Sequence, residues 1–191
     1  MSLFKRKPWT GKTELLFSDK ALTALILPLF LEQLLSVLVG LSDSIMVAQV
    51  GEAAVSAVSL VDSIAILLIN IFNALATGGA VVSGQYLGAK DKKEAAYAGR
   101  QMMQFMVWMS IAIMLLIYLG KYFILHTVFG SIEADVMANC NTYLLISAAS
   151  IPFLGVYCGG AALFRAMGNS KTSMYVSCIM NVINVSGNAI L

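Results

Sequence analysis

Between Ala21 and Leu41 the chain is almost unbroken hydrocarbon, long enough to cross a bilayer as a helix. The wider stretch from Lys20 to Gly51 nevertheless carries Glu32 and Gln33 near its middle and Asp43 near its far end. A carboxylate at membrane depth costs roughly 2.5–3.5 kcal/mol on insertion scales, so something must compensate for it. At about 100° per residue the step from Glu32 to Asp43 returns to nearly the same helix face, and Ser36 lies on that stripe. Leu27, Leu31, Leu34, Leu35, Leu38 and Leu41 spread over the rest. One side of this helix therefore requires protein or water, and the others suit lipid. Pro28, one turn before Glu32, predicts a weakened or bent helix, because proline lacks the N–H that the turn before it needs.

Composition extends this to the whole chain. Of 191 residues 59% are hydrophobic and only 12% charged, with a mean hydropathy of +0.84, which no ordinary soluble domain has. A net charge of +2 is too small and scattered for a nucleic-acid partner. Cys140, Cys158 and Cys178 form no CxxC pair and fall in or beside apolar runs, as small buried hydrophobes do. A single histidine, His126, and the absence of HExxH and GxSxG motifs leave little for metal or hydrolase chemistry, and no enzyme is expected.

In chain order, residues 1–19 read as a retained basic cytoplasmic tail, with an interfacial amphipathic portion around Trp9 to Phe17. Residues 20–191 read as a membrane lobe with helices at about 20–50, 53–87, 100–120, 136–164 and 172–191. The second span places Asp62, Asn73, Ser59, Thr77 and Asn70 toward one side. Gly78, Gly79 and Gly84 are expected to loosen it before a loop over residues 88–94. Residues 121–135, with His126, form the next polar connection. Pro152 and Gly155 predict a bend in the fourth span. The fifth carries Ser177, Asn181, Asn184 and Asn188 on one face, a stripe suited either to lining a cavity or to helix packing.

Eleven of the twelve basic residues fall in the tail, the second-to-third loop and the fourth-to-fifth turn, leaving Lys121 alone on the other side. The positive-inside rule then puts the N terminus in the cytoplasm of a plasma (inner) membrane protein. Because the last apolar run has no flanking charge or aromatic anchor, the chain reads as the N-terminal portion of a longer transporter. Three intramembrane carboxylates and the amides of Asn70, Asn73, Asn181, Asn184 and Asn188 are expected to converge on one cavity at mid-membrane. Such a cavity attracts organic cations and takes a coupling Na⁺ or proton.

Three separated stretches resemble the multidrug and toxic compound extrusion (MATE) family. They are Pro28 to Gly51 with Asp43-Ser44-Ile45-Met46-Val47, Gly79 to Gln101 with Ser83-Gly84-Gln85-Tyr86-Leu87-Gly88-Ala89, and Arg165 to Leu191 with Gly168, Thr172, Met174 and Asn184 in the family's order. The resemblance implies an all-α integral membrane bundle, about five helices of a twelve-helix, two-lobe transporter whose C-terminal lobe is missing here. It implies export of cationic, lipophilic compounds by antiport against Na⁺ or H⁺, with membrane lipid as surroundings and no cofactor besides the coupling ion. By the match, Asp43 takes the place of the first-helix aspartate that binds that ion, and Asn184 the asparagine beside it, where Na⁺ would bind. Asn188 falls where some members have an aspartate, a departure that weakens the proton-coupled form. Pro28 matches a proline whose bending is linked to coupling, while Glu32, Gln33, Asp62, Asn70, Asn73 and Asn181 are expected at the substrate cavity. Two other readings stand beside this. A lipid-linked oligosaccharide flippase of the same broad superfamily should show a more cationic cavity. An intramembrane carboxylate enzyme should show Tyr-Asp and Gly-x-Gly-Asp motifs, which are absent.

Overall fold

The computed structural model describes residues 19–130 and 132–190. The basic tail, with the interfacial portion expected around Trp9 to Phe17, lies outside the described residues, as do the side chains of Ala21 and of Asn188 to Ile190. The chain forms α1 (Asp19–Ala48), α2 (Glu52–Gly88), α3 (Lys92–Phe123), a π-helical turn (Ile124–Val128), α4 (Ala134–Ala166) and α5 (Ser170–Ile190). Among the described residues there is no strand. Among the described residues four helices are long and apolar enough to cross a membrane. The asparagines of α5 lower its apolarity below that of the other four, although it packs in the same bundle.

Short connections make successive helices reverse direction, so α1, α3 and α5 run one way and α2 and α4 the other. The α4–α5 turn needs Gly168 at φ +76°, and Asn169 N–H closes onto the Phe164 carbonyl at 2.9 Å, the pattern of a glycine-terminated helix. The α2–α3 connection is tighter than the sequence indicates. Only residues 89–91 leave the helices, because the Asp91 side chain accepts from the Glu94 N–H at 3.1 Å and caps α3 at Lys92. The polar residues that read as loop thus form the first turns of α3. The glycines of α2 do not loosen it either, since the helix runs unbroken from Glu52 to Gly88. A Cβ on Gly79 would collide with the Met102 side chain, so this glycine serves close approach of α2 and α3. α1 likewise runs unbroken through Pro28, which is buried.

The core belongs to α2, α3 and α4. Phe72, Met106 and Cys140 are fully enclosed, together with Ala76, Leu144, Ala148 and Cys158. Gly155 and Gly159 bring α4 against α3: a Cβ at Gly155 would lie 2.8 Å from the Ser110 Cβ and 3.3 Å from the Met106 carbonyl oxygen. Small residues that let backbones approach are how helices associate in lipid, where apolar burial gives no driving force of its own. The same argument covers the outer surface. Leu119, Phe153 and Trp108 are largely exposed, a surface matched to hydrocarbon chains. α1 packs chiefly on α5, and this pair meets the three-helix core through α2 and α4.

Candidate functional site

Two polar layers cross the bundle at different depths. The first centres on Glu32, which is 8% exposed although it sits in the most apolar part of α1. Ser173 of α5 donates its hydroxyl to both carboxylate oxygens, at 3.0 and 2.9 Å. Tyr157 of α4 donates to Oε1 at 3.2 Å, and the Arg165 guanidinium lies 3.7 Å from the same oxygen. That last distance is too long for a hydrogen bond, so Arg165 acts through charge. Hydrogen bonds to a charged group contribute about 1.5–3 kcal/mol each, enough for two donors and a cation to offset the insertion cost of the carboxylate. The backbones of α1 and α4 do not pack against each other, so Tyr157 and Arg165 reach Glu32 by the length of their side chains. Arg165 also lines a cleft of about 470 Å³ between α2 and α4, with Thr77, Gly84, Gln85, Ala162 and Ala166.

The second layer lies toward the other end. Tyr143 of α4 donates its hydroxyl to Asp62 of α2 at 3.2 Å, and the charge of Asp43 acts on both. Beside Asp62 is a cavity of about 260 Å³, with Tyr143, Ser147 and Ser150 as polar lining and Ile69, Ile117 and Leu154 among the apolar. The eleven residues from Glu32 to Asp43 separate the layers by about 16 Å along α1. Because α1 and α5 run parallel and touch at Glu32–Ser173, the same eleven-residue step along α5 brings Asn184 to the level of Asp43. Each of these two residues has polar interactions in the structure. One turn before Asn184, the Asn181 Nδ2 is buried without a hydrogen-bond partner among the described residues. An unmet buried donor costs about 1–3 kcal/mol, so this amide is poised for an oxygen acceptor.

The charge of Asp43 thus acts on Asp62, while Glu32 stands about 16 Å from Asp43 along α1, so the three carboxylates are not gathered at one depth. Gln33, Asn70 and Asn184 are exposed, Asn73 and Asn181 half-buried. Counting eleven residues along α2 from Asp62 puts Asn73 near the depth of Glu32, away from the second layer. Tyr143, Tyr157, Arg165 and Ser173 were not singled out by the sequence. Ser173 is one turn before Ser177 on the stripe already noted, so extending that stripe would have found it. Arg165 carried only its charge as a topology signal, and the tyrosines carried none.

The comparisons with known proteins agree with this architecture. The MatE family model matches residues 28–190. The chain is 28% identical over 171 residues to the "Uncharacterized transporter YisQ" of Bacillus subtilis, covering 90% of the chain and 37% of that protein. It is 22% identical over 184 residues to the "Probable multidrug resistance protein NorM" of Thermotoga maritima, covering 96% and 39%. Among solved structures, an outward-facing multidrug resistance MATE family transporter of the MOP superfamily superposes with a TM-score of 0.80 at 18% identity, over 90% of the chain and 38% of that structure. A MOP superfamily transporter from Pyrococcus furiosus, whose binding pocket is described as having reverse polarity, does so equally, with 37% of its length covered. The chain thus spans less than two fifths of the length of the proteins it matches. It belongs to the MatE family, with the fold of one lobe of such a transporter.

Proposed function

We propose that this chain is the N-terminal lobe of an antiporter that exports cationic, lipophilic compounds in exchange for Na⁺ or H⁺. What supports the reading is that α1 packs on α5, that helical rise from the Glu32–Ser173 contact levels Asp43 with Asn184, and that the charge of Asp43 acts on Asp62. A carboxylate flanked by amides offers hard oxygen donors to Na⁺, or a single protonation site if Na⁺ is excluded. Asn181 lies one turn before Asn184, helical spacing in the sequence puts Asn188 one turn after it, and the relatives named for multidrug resistance support the substrate class. Ion and substrate then compete for one negative charge, and alternating access turns that competition into exchange. These groups bind and release and make no covalent bond, so the role is transport and not catalysis.

In this reading the α2–α3 and α4–α5 connections, which with their flanks hold six of the twelve basic residues, face the cytoplasm, and the protein lies in the plasma (inner) membrane. A second lobe of the same protein completes the path. The flippase alternative gains one feature from the structure, Arg165 on a cleft wall, but Glu32 lies beside it and neutralises its charge. The test is ethidium efflux by the complete protein in cells lacking their own pumps, with imposed Na⁺ or proton gradients. Efflux that follows one gradient and disappears in Asp43→Asn is expected. No efflux from well-expressed wild type would overturn the reading in favour of lipid-linked sugars.

A further inference from the structure

The basic end of α3 holds charge that the two polar layers do not use. Arg100 and Lys121 bracket twenty residues free of Asp, Glu, Lys and Arg, a rise of about 30 Å that matches the hydrocarbon thickness of a bilayer. Arg100 therefore stands at the depth of the lipid phosphates. It is exposed, as are Lys92 and Lys93 two turns before it, and none of the three has an ion pair among the described residues. Lys92 and Arg100 rim a cleft of about 410 Å³ between α2, α3 and α4, whose walls include Leu87, Met103, Leu163 and Met167, with Ser83 as a further polar group. Arg100 is shared with an adjoining cavity of about 450 Å³, where Lys93 and the half-exposed Tyr97 stand beside the one carboxylate, Glu94. Over residues 88–101 four cations face two carboxylates, Asp91 and Glu94, and Asp91 is occupied in capping α3.

A cation at phosphate depth, with two lysines about 11 Å further out toward the headgroups, around an apolar cleft between membrane helices is the chemistry that recognises an anionic lipid headgroup. We propose that this cleft seats an anionic phospholipid, its phosphodiester against Arg100 with Lys92 and Lys93 and its acyl chain along Met103 and Leu163. The position of Tyr97 suits an aromatic at the headgroup level. A zwitterionic lipid carries its own cation and would leave the three basic groups uncompensated. The site stands apart from the Asp43 layer. It rests on the membrane embedding of α3 alone.

Trp108 makes the test direct. It lies eight residues beyond Arg100, about 12 Å deeper, and is 72% exposed, so an acyl chain anchored at Arg100 passes within reach. The complete protein, with Trp108 as its one retained tryptophan, is reconstituted in vesicles of brominated phosphatidylglycerol or brominated phosphatidylcholine. Half-maximal quenching is expected at a mole fraction at least about fivefold lower for phosphatidylglycerol. The preference should vanish in Lys92→Ala/Lys93→Ala/Arg100→Ala and persist in Arg100→Lys, which controls for folding. Equal quenching by the two lipids in the wild type would overturn the proposal. So would relief of quenching by soluble glycerol phosphate, which would make this a site for free phosphate. A protein that shows the lipid preference but no efflux would contradict the transport reading and leave this one standing.

Discussion

The core of α2, α3 and α4 and the pair α1–α5 differ in what they bury. In the core the enclosed side chains are mainly apolar, among them Phe72, Met106, Cys140, Leu144 and a series of alanines, with Ser110 as the buried polar member among the described residues. In α1 and α5 the buried residues with described side chains are Pro28, Glu32, Ser170, Ser173 and Ser177. Steric fit through Gly79, Gly155 and Gly159 has essentially one solution, because a close-packed interface tolerates little displacement. α1 is held instead through a single carboxylate, Glu32, which accepts from Ser173 of α5 and from Tyr157 of α4 and pairs with Arg165 of α4. Polar bonds of this kind can be exchanged for others as helices shift, and polar contacts between membrane helices contribute only about 0.6–2 kcal/mol each. The rigid core thus carries Asp62 and Tyr143, and the more exchangeable pair carries Asp43, so the two halves of the second layer sit on elements of different stiffness.

Substitutions that remove the hub of the polar pair should break this contrast most severely. Glu32→Ala strands Ser173, Tyr157 and Arg165 together, and breaking a buried pair costs about 3–5 kcal/mol. Thermal unfolding of the complete purified protein should show it as a lowered midpoint, with hydrogen exchange accelerated in α1 and α5 and unchanged in α2 to α4. Next is Gly155→Leu, which forces atoms into the Ser110 and Met106 backbone region at a cost of about 1–3 kcal/mol. Here the exchange pattern should invert, with α3 and α4 loosening first. Ser173→Ala removes one hydroxyl and leaves Tyr157 and Arg165 on Glu32, so a loss of about 1–2 kcal/mol is expected. Smallest is Gly99→Ala. Its Cβ would meet the flexible Leu163 side chain at 3.3 Å, and the unfolding midpoint should move by less than about 1 kcal/mol equivalent. A larger loss from Gly99→Ala than from Gly155→Leu would contradict the reading of Gly155 as the closer approach of α3 and α4.

Much of this was legible in the sequence. Glu32 could not be left unpaired in an apolar helix, and the structure supplies its partners; hydropathy gave the long helices, and the family motifs gave the lobe. What stayed hidden has physical causes. Periodicity places residues around a helix but says nothing of depth relative to a neighbour, so Glu32, Asp43 and Asp62 read as one site. Depth became visible only through the Glu32–Ser173 contact and the parallel run of α1 and α5. Tyr157 and Tyr143 are half-buried aromatics in an apolar helix, and nothing in composition separates a tyrosine that donates to a carboxylate from one that packs. The early start of α3 was obscured because its first turns are solvated and charged, and a single aspartate cap decided the boundary.

The most direct measurement compares Asp43→Asn with Glu32→Gln for gradient-driven ethidium efflux by the complete protein, at matched expression. The amide oxygen introduced by Glu32→Gln can still accept from Ser173 and Tyr157, so the ion pair and one of the two Ser173 contacts are lost. The amide introduced by Asp43→Asn can neither take a proton nor hold a standing charge. Asp43→Asn should therefore abolish efflux coupled to the ion gradient, while Glu32→Gln retains it. Coupled efflux surviving in Asp43→Asn and lost in Glu32→Gln would place the coupling charge in the first layer and contradict the account.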